Sequence, residues 1–392
     1  MTIMQTPQKV DLIERATELV PLLRDKAAWS EENRRLPEDI VEAMSEAGMF
    51  RLRAPQRFGG YESDLNTLVR ALTELGRGDG SASWVASIFS ISGWISGLFP
   101  DGAQDEIFAT PDVRVSGILS PSAVAEPVDG GYLVSGKWPF NTGVLHAHWN
   151  ILAAVIMSEQ GPQPIMVVVP AEDLTVIDDW YTVGLCGTGS VSTAAEGMFV
   201  PAHRAVPLGP LMQEQYPTEA NASSPVFRSP MILTGCVTAV GPALGLAKAA
   251  LENVNDRLPG RHIHYTTYDD QLSAPLTHLQ IAEATMKFDE AEFHAYRAAD
   301  TVDAKAVDGT PWSVVERARV RADAAYACRL AKESVDIVNS ASGAASIYSH
   351  VPIQRIERDI QTINLHALMN PNTNQELYGR VLCGLEPNTV YI

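Results

Sequence analysis

Residues 128–143 read VDGGYLVSGKWPFNTG, which starts as a β-hairpin and ends as something else. Asp129-Gly130 is a two-residue turn signal, and Tyr132 and Val134 alternate with smaller or polar neighbours as a strand requires. Pro139 then follows Trp138, and the chain runs into Asn141-Thr142-Gly143. Proline has no N–H to give a ladder and therefore marks an edge or a bulge. The expectation is a strand that bends away from pairing and presents the Thr142 hydroxyl and exposed main chain to a ligand.

Outward from this stretch, the region from Val113 to Val206 keeps the same character. VRVSGILSP, WNILAAVIM, PIMVVVP, LTVIDDW and AAEGMFVP are short β-branched runs separated by Gly, Pro and Asp. Residues 8–110 read instead as helices, with Leu12, Ala16, Leu19, Val20 and Leu23 at helical spacing. Long amphipathic helices return from Ser229 to Leu385, in a number that suits a four-helix bundle. The predicted class is α+β. An N-terminal α-helical domain (1–112) precedes a central antiparallel β-domain (113–224) and a C-terminal four-helix bundle (225–392). No internal repeat or low-complexity tract interrupts this order.

The chain has 392 residues, 29 Lys+Arg against 47 Asp+Glu, and a formal charge of −18. That sign repels nucleic acid and anionic membrane surfaces, so neither is an expected partner. Cys186, Cys236, Cys328 and Cys383 lie far apart with no CxxC pair, which suggests neither zinc nor a disulfide framework and fits a reducing cytoplasm. The first twenty residues mix charges with apolar groups and lack the uninterrupted core of a signal peptide. Two uncharged stretches, from Gly80 and from Ser229, are rich in small residues and read as closely packed buried helices rather than membrane spans.

Several chemistries have no motif here. No GxGxxG follows a strand and opens a helix, so the chain has no evident NAD(P) site of its own. GxSxG, HExxH and paired ExxH motifs are missing. His262 and His264 form an HxH pair without further ligands, which fits a surface loop and no metal.

Helices, then a β-domain, then a bundle resembles the acyl-CoA dehydrogenase superfamily over nearly the whole chain. RAPQRFGGYE (53–62) is similar to its Pro-x-x-x-Gly-Gly turn, VDGGYLVSGKW (128–138) to the strand pair leading to the flavin ring, and GLCGTGSVSTAAEGMFVPAHR (184–204) to its second flavin-side strand. WPFNTG, GTGS and the ending from RIERDIQTINLHALM resemble one branch, the oxygenase components of two-component flavin-dependent monooxygenases. A dehydrogenase needs a carboxylate to take the proton α to a thioester. The matching stretch, HALMNPNTNQ (366–375), holds no acid, and Glu376 reads as a helix-start or ion-pair residue.

The resemblance implies reduced FAD or FMN as cofactor, molecular oxygen as co-substrate and a flavin C4a-hydroperoxide as the oxygenating species. It further implies a separate NAD(P)H-dependent flavin reductase and a homo-oligomer, a tetramer or a dimer. The substrate it implies is a small aromatic or indole-type ring.

His366, ending RDIQTINLH, is the implied substrate base or orienter, and Thr142 the hydroxyl facing flavin N5. Ser92 stands where related oxygenases often carry a histidine, and His146 is a candidate replacement for it. Around the flavin the resemblance places Ser120, Asn141, Gly187, Thr188, Gly189 and Ser190, with Trp138 and Phe140 either walling the ring or packing the core. Arg261 and Tyr265 on one side, and Ser342 and Gly343 on the other, are expected near its phosphates or adenosine. Cys186 replaces a frequent arginine. The uncharged helix with Trp84, Phe89 and Trp94 suits an apolar substrate wall. An acyl-thioester dehydrogenase is the alternative reading, and a flavin-free interaction protein the third.

Overall fold

In the computed structural model, which describes residues 9–159 and 161–392, Asp129-Gly130 is indeed the turn of a hairpin. Val128 pairs with Gly131, and Gly130 adopts the positive φ of 79° that the turn requires. Residues 1–8, with the first part of the leader reading and of the first helical domain, lie outside the described residues.

Five helices come first: α1 (Lys9–Asn33), α2 (Glu38–Glu46), α3 (Leu65–Gly78), α4 (Gly80–Ser96) and α5 (Asp101–Ile107). Asp64 and Asp79 begin α3 and α4, their carboxylates accepting the Thr67 and Ala82 amides. Seven strands follow: β1 (Val115–Val128), β2 (Gly131–Trp138), β3 (Trp149–Ser158), β4 (Gly161–Pro170), β5 (Thr175–Ile177), β6 (Ser192–Pro201) and β7 (Ala205–Pro207). They form one sheet in the order β5-β6-β2-β1-β3-β4-β7.

The pairs are antiparallel as expected, except that β1 and β3 run parallel, with Val115 opposite Trp149. This exception explains the sequence that closes β2. β2 is an interior strand, flanked by β1 and β6, so Pro139 marks neither an edge nor a bulge. The strand stops at Trp138, and residues 139–148 hop across the end of β1 to start β3 on its other side. A proline suits the place where pairing must end.

After the short α6 (Leu208–Leu211) come α7 (Met231–Thr238), α8 (Val240–Arg257), α9 (Pro275–Asp308), α10 (Val314–Ser342), α11 (Pro352–Leu365) and α12 (Pro371–Leu382). α10 opens on a full capping box between Ser313 and Glu316. Helices α8 to α11 pack together, and one core cluster runs continuously from Leu12 through α4 and α8 to Ile363. Met231–Arg257 has the length and mean hydropathy (1.4) of a membrane span, but 89% of its apolar window is buried in the protein. Apolar character here serves a core helix, as it does in α4.

Candidate functional site

Helix α4 is the spine against which the expected site residues gather. Its residues from Gly80 to Ser96 are buried apart from Ile88 and Ile91. Small residues let other segments approach: a side chain added at Gly187 would meet Ser81 Cβ at 3.0 Å and Ser30 Cβ of α1 at 2.8 Å. One at Gly143, whose φ is +73°, would meet the Phe89 ring at 2.8 Å. The 140–143 loop and the 184–190 loop therefore lie side by side on α4, and the Gly143 amide donates to the Thr188 carbonyl at 3.2 Å.

Three hydroxyls run through this junction. Thr188 Oγ1 donates to the Leu185 carbonyl at 2.8 Å, and only a hydrogen bond donated by Ser190 can then account for the 2.7 Å Ser190–Thr188 contact. With the Ser190 proton spent, the 2.7 Å contact between Thr142 and Ser190 must be donated by Thr142. The row thus has one polarity, and the Thr142 oxygen keeps its lone pairs for a further partner. Thr142 is 6% exposed, so such a partner arrives in a nearly dry place.

His366 stands at the C-terminal end of α11, with Trp84 of α4 edge-on to it at 5.3 Å between ring centroids. The residue keeps exposed surface beside that contact. Desolvation by the neighbouring protein pushes its pKa down to about 4. Nδ1 accepts the Leu368 amide at 3.3 Å, so the proton of the neutral ring sits on Nε2. His366 is accordingly a donor on its open side. Ile88 and Ile91 of α4 and Gly235 of α7 are the residues of those two helices that keep partial exposure, and Trp84, Ile88 and Ile91 share one helix face. A side chain added at Gly235 would meet only Ile91, at 3.9 Å.

The other expected residues divide. Asn141 is turned inward: its amide donates to Thr193 Oγ1 (2.8 Å) and its carbonyl accepts from Ser116 (2.7 Å) and Asn150 (3.0 Å). Trp138 is a core residue of the sheet, its indole donating to the Ala153 carbonyl at 2.8 Å, because strand alternation points it away from the junction. Phe140 differs: at φ +62° it is 67% exposed and edge-on to Trp180. Ser92 is buried, where a side chain on Gly117 of β1 would meet its Oγ at 2.8 Å, and it stands one turn beyond Ile88 on α4.

Ser120 is exposed in the segment where β1 loses register with β3, between Ile118 and Ala123. His146 is buried beside Glu38 rather than on a strand surface, and burial drives its pKa down to about 4. Trp94 donates to the Val226 carbonyl. Among the described residues no cluster suited to a metal occurs.

Arg261 and the Ser342-Gly343 turn are brought together, Arg261 Nη2 donating to the Ser342 carbonyl at 2.7 Å. Its Nη1 is buried without a partner, which suits an incoming anion or polar ring. Tyr265 lies nearby in sequence but is fully exposed at φ +59°. Gly235, Ile88 and Ile91 were not singled out, because the letters of an apolar helix do not show which residues keep partial exposure. Sequence reading also gave no role to Asp359, although a buried acid two turns before His366 on a helix is a legible oddity.

A hydroxyl acceptor in a nearly dry loop junction and an arginine with an unused buried donor suit a flavin. The comparisons bear on that fit. The acyl-CoA dehydrogenase N-terminal domain model matches residues 16–99, and the C-terminal domain model residues 237–371. The flavin-dependent monooxygenase oxygenase subunit HsaA of Rhodococcus jostii is 31% identical, over 95% of this chain and 98% of its own length. The oxygenase component of an FADH(2)-dependent resorcinol hydroxylase from Rhizobium sp. is 30% identical, over 99% and 97%. The structure of XiaF from Streptomyces sp., in complex with FADH2 and glycerol, superposes with a TM-score of 0.92 at 32% identity, covering 97% of each chain.

Proposed function

The chain belongs to the acyl-CoA dehydrogenase superfamily, among the oxygenase components of flavin-dependent monooxygenases, and from that premise we propose that it hydroxylates a small aromatic or indole-type ring. Reduced FAD or FMN, delivered by a separate NAD(P)H-dependent reductase, would supply two electrons and, with oxygen, the C4a-hydroperoxide that inserts one oxygen atom and releases the other as water.

The observation that carries this reading is the polarity of the hydroxyl row. Reduced flavin carries a hydrogen on N5, and the Thr142 oxygen is held as an acceptor in a nearly dry site. The main chain of Gly187, Gly189 and Ser190, held by close packing on Ser30, Ser81 and Leu145, would approach the ring, and Phe140 would offer it an exposed aromatic face. Arg261 with Ser342 and Gly343 would meet the phosphates or adenosine, and Tyr265 would reach a second copy's flavin. Ser120 lies where β1 is free of β3 and would line the ring's edge.

For the substrate, Trp84, Ile88 and Ile91 furnish an apolar wall, and Nε2–H of His366 orients a ring oxygen or another acceptor. Glu376, the nearest acid in the dehydrogenase position, is exposed on α12, which speaks against thioester chemistry. Leu279, Met286 and Phe293 recur every seven residues as an exposed apolar stripe on α9, which supports a homo-oligomer, with a tetramer the expected form. Four unpaired thiols suit the cytoplasm.

The test is to supply the purified protein with a flavin reductase, NADH, FAD or FMN, and ¹⁸O₂, against phenolic and indolic compounds. Label in a hydroxylated product is expected. Flavin reduction by an acyl-CoA, with no labelled product, overturns the proposal. Gly235→Leu separates substrates by size. It fills open space and improves helix propensity, so the thermal midpoint should hold, while kcat/KM for two-ring substrates falls about tenfold or more relative to one-ring substrates. Equal losses for both would remove Gly235 from the substrate wall.

A further inference from the structure

Helix α11 does more than carry His366. Seven residues earlier, about two turns and 10 Å along the helix, Asp359 Oδ1 accepts the Leu185 amide at 2.6 Å. Its neighbour Arg358 donates to the Val183 carbonyl. Gly184 lies so close that a side chain there would overlap the Arg358 carbonyl and Thr362 Oγ1. Residues 183–185 are thus laid directly on α11.

Leu185 is also the residue at which the hydroxyl row ends. Its carbonyl accepts Thr188 Oγ1 at 2.8 Å and the Trp180 indole at 3.2 Å, and its φ of +51° is one that a branched side chain adopts only when its surroundings impose it. An acceptor on the amide side and donors on the carbonyl side impose it here.

We propose that Asp359 is a positioning residue for oxygen transfer. By holding the Leu185 amide it fixes the turn that anchors the Thr188–Ser190–Thr142 row, keeps the Thr142 oxygen turned toward the flavin as an acceptor, and ties that row to the helix bearing His366. The proposal rests on the flavin reading above.

The charged groups around Asp359 are Asp79 at the start of α4, Glu31 of α1, Cys186 of the loop, and Arg355 and Arg358 on its own helix, with Arg24 of α1, Arg77 of α3, and Glu252 and Asp256 of α8 lining the same cavity. Glu31 engages Arg358 at 2.5 Å and Arg355 at 3.8 Å, which leaves both arginines shared. Burial, then repulsion from Asp79, pushes Asp359 up to about 7. A carboxylate accepts an amide more strongly than a neutral carboxyl does. The bond is therefore strongest above pH 7 and weakens as the pH falls through that value.

The experiment uses the full chain as wild type, Asp359→Ala and Asp359→Asn. It measures the exchange protection of the Leu185 amide without flavin, the Kd for reduced FAD, and the division of consumed oxygen between product and hydrogen peroxide. For Asp359→Ala, Leu185 protection should fall about tenfold while α10 is unchanged, and the peroxide share should rise severalfold. Asparagine, still an acceptor, should restore most of the coupling but abolish the change in Leu185 protection near pH 7 that the wild type shows. If Asp359→Ala does not fold, that pH comparison between wild type and Asp359→Asn decides.

Unchanged Leu185 protection, or a wild-type peroxide share in Asp359→Ala, overturns the assignment of Asp359 alone. A wild type that binds no reduced FAD and makes no hydroxylated product overturns the flavin reading and this proposal with it.

Discussion

Thr142→Val is expected to divert most of the oxygen that the enzyme consumes into hydrogen peroxide. Valine has the shape of threonine, so the loop at 140–143 should keep its place against Phe89 of α4. Two interactions disappear: the proton that Thr142 gives to Ser190, and the lone pairs that would face N5–H of the flavin. Leaving a buried polar group unpaired costs about 1–3 kcal/mol, or roughly 5- to 150-fold in the lifetime of whatever that group protects. Stopped-flow mixing of the reduced complex with oxygen, together with a peroxide assay, measures it. Thr142→Ser keeps the hydroxyl and should remain coupled. Ser190→Ala leaves Thr142 free to rotate and should fall between the two. Wild-type coupling in Thr142→Val would show that this hydroxyl is a turn residue and no more.

The second large effect belongs to His366. His366→Ala should still consume oxygen, but kcat/KM for hydroxylation should fall about 10- to 100-fold, the worth of a donor to a charged or developing-charge oxygen. His366→Gln, which can still donate, should recover much of it. If the residue were a base, glutamine would be as poor as alanine, so the pair separates orienter from base.

The pH behaviour follows from the same geometry. With its pKa driven down to about 4, the ring stays neutral through the working range, and the hydroxylation profile should lack an acid limb near the ordinary histidine value. In stability the sign is fixed. Between about 4 and 6.5 the unfolded chain binds the proton that the folded one refuses. The margin that the folded state gains from a neutral His366 is complete above about 6.5 and is lost as the pH falls through about 4. Denaturant melts of wild type minus His366→Gln across that window read this difference directly.

Thr142, Thr188, Ser190 and His366 were named from the family resemblance, and the structure joins the first three in one hydrogen-bonded row. Asn141, named with them, has its side-chain amide and carbonyl oxygen both bonded inside the sheet domain. The letters of Asn141-Thr142-Gly143 do not distinguish a hydroxyl that faces out from an amide that faces in. Trp138 shows the same limit, since only the register of β2 against β1 and β6 sends it into the core. Ser92 lies only about 40° around α4 from Ile88, and packing against Gly117 of β1 is what buries it. Asp359 and Leu185 were invisible as a pair because 174 residues separate them.

The sequence by itself determined the order of helices, sheet and bundle, the hairpin at Asp129-Gly130, and the end of a strand at Pro139, since turn chemistry and hydrophobic period act over a few neighbouring residues. Tertiary structure decided the rest. It sets β3 parallel to β1, which turns residues 139–148 into a crossing instead of an edge. It also stacks three hydroxyls from two loops in one direction, and it lays residues 183–185 on α11. Each of these depends on donors, acceptors and bare Cα atoms meeting from distant parts of the chain, and a hydrogen bond acquires its direction only when both partners are in place.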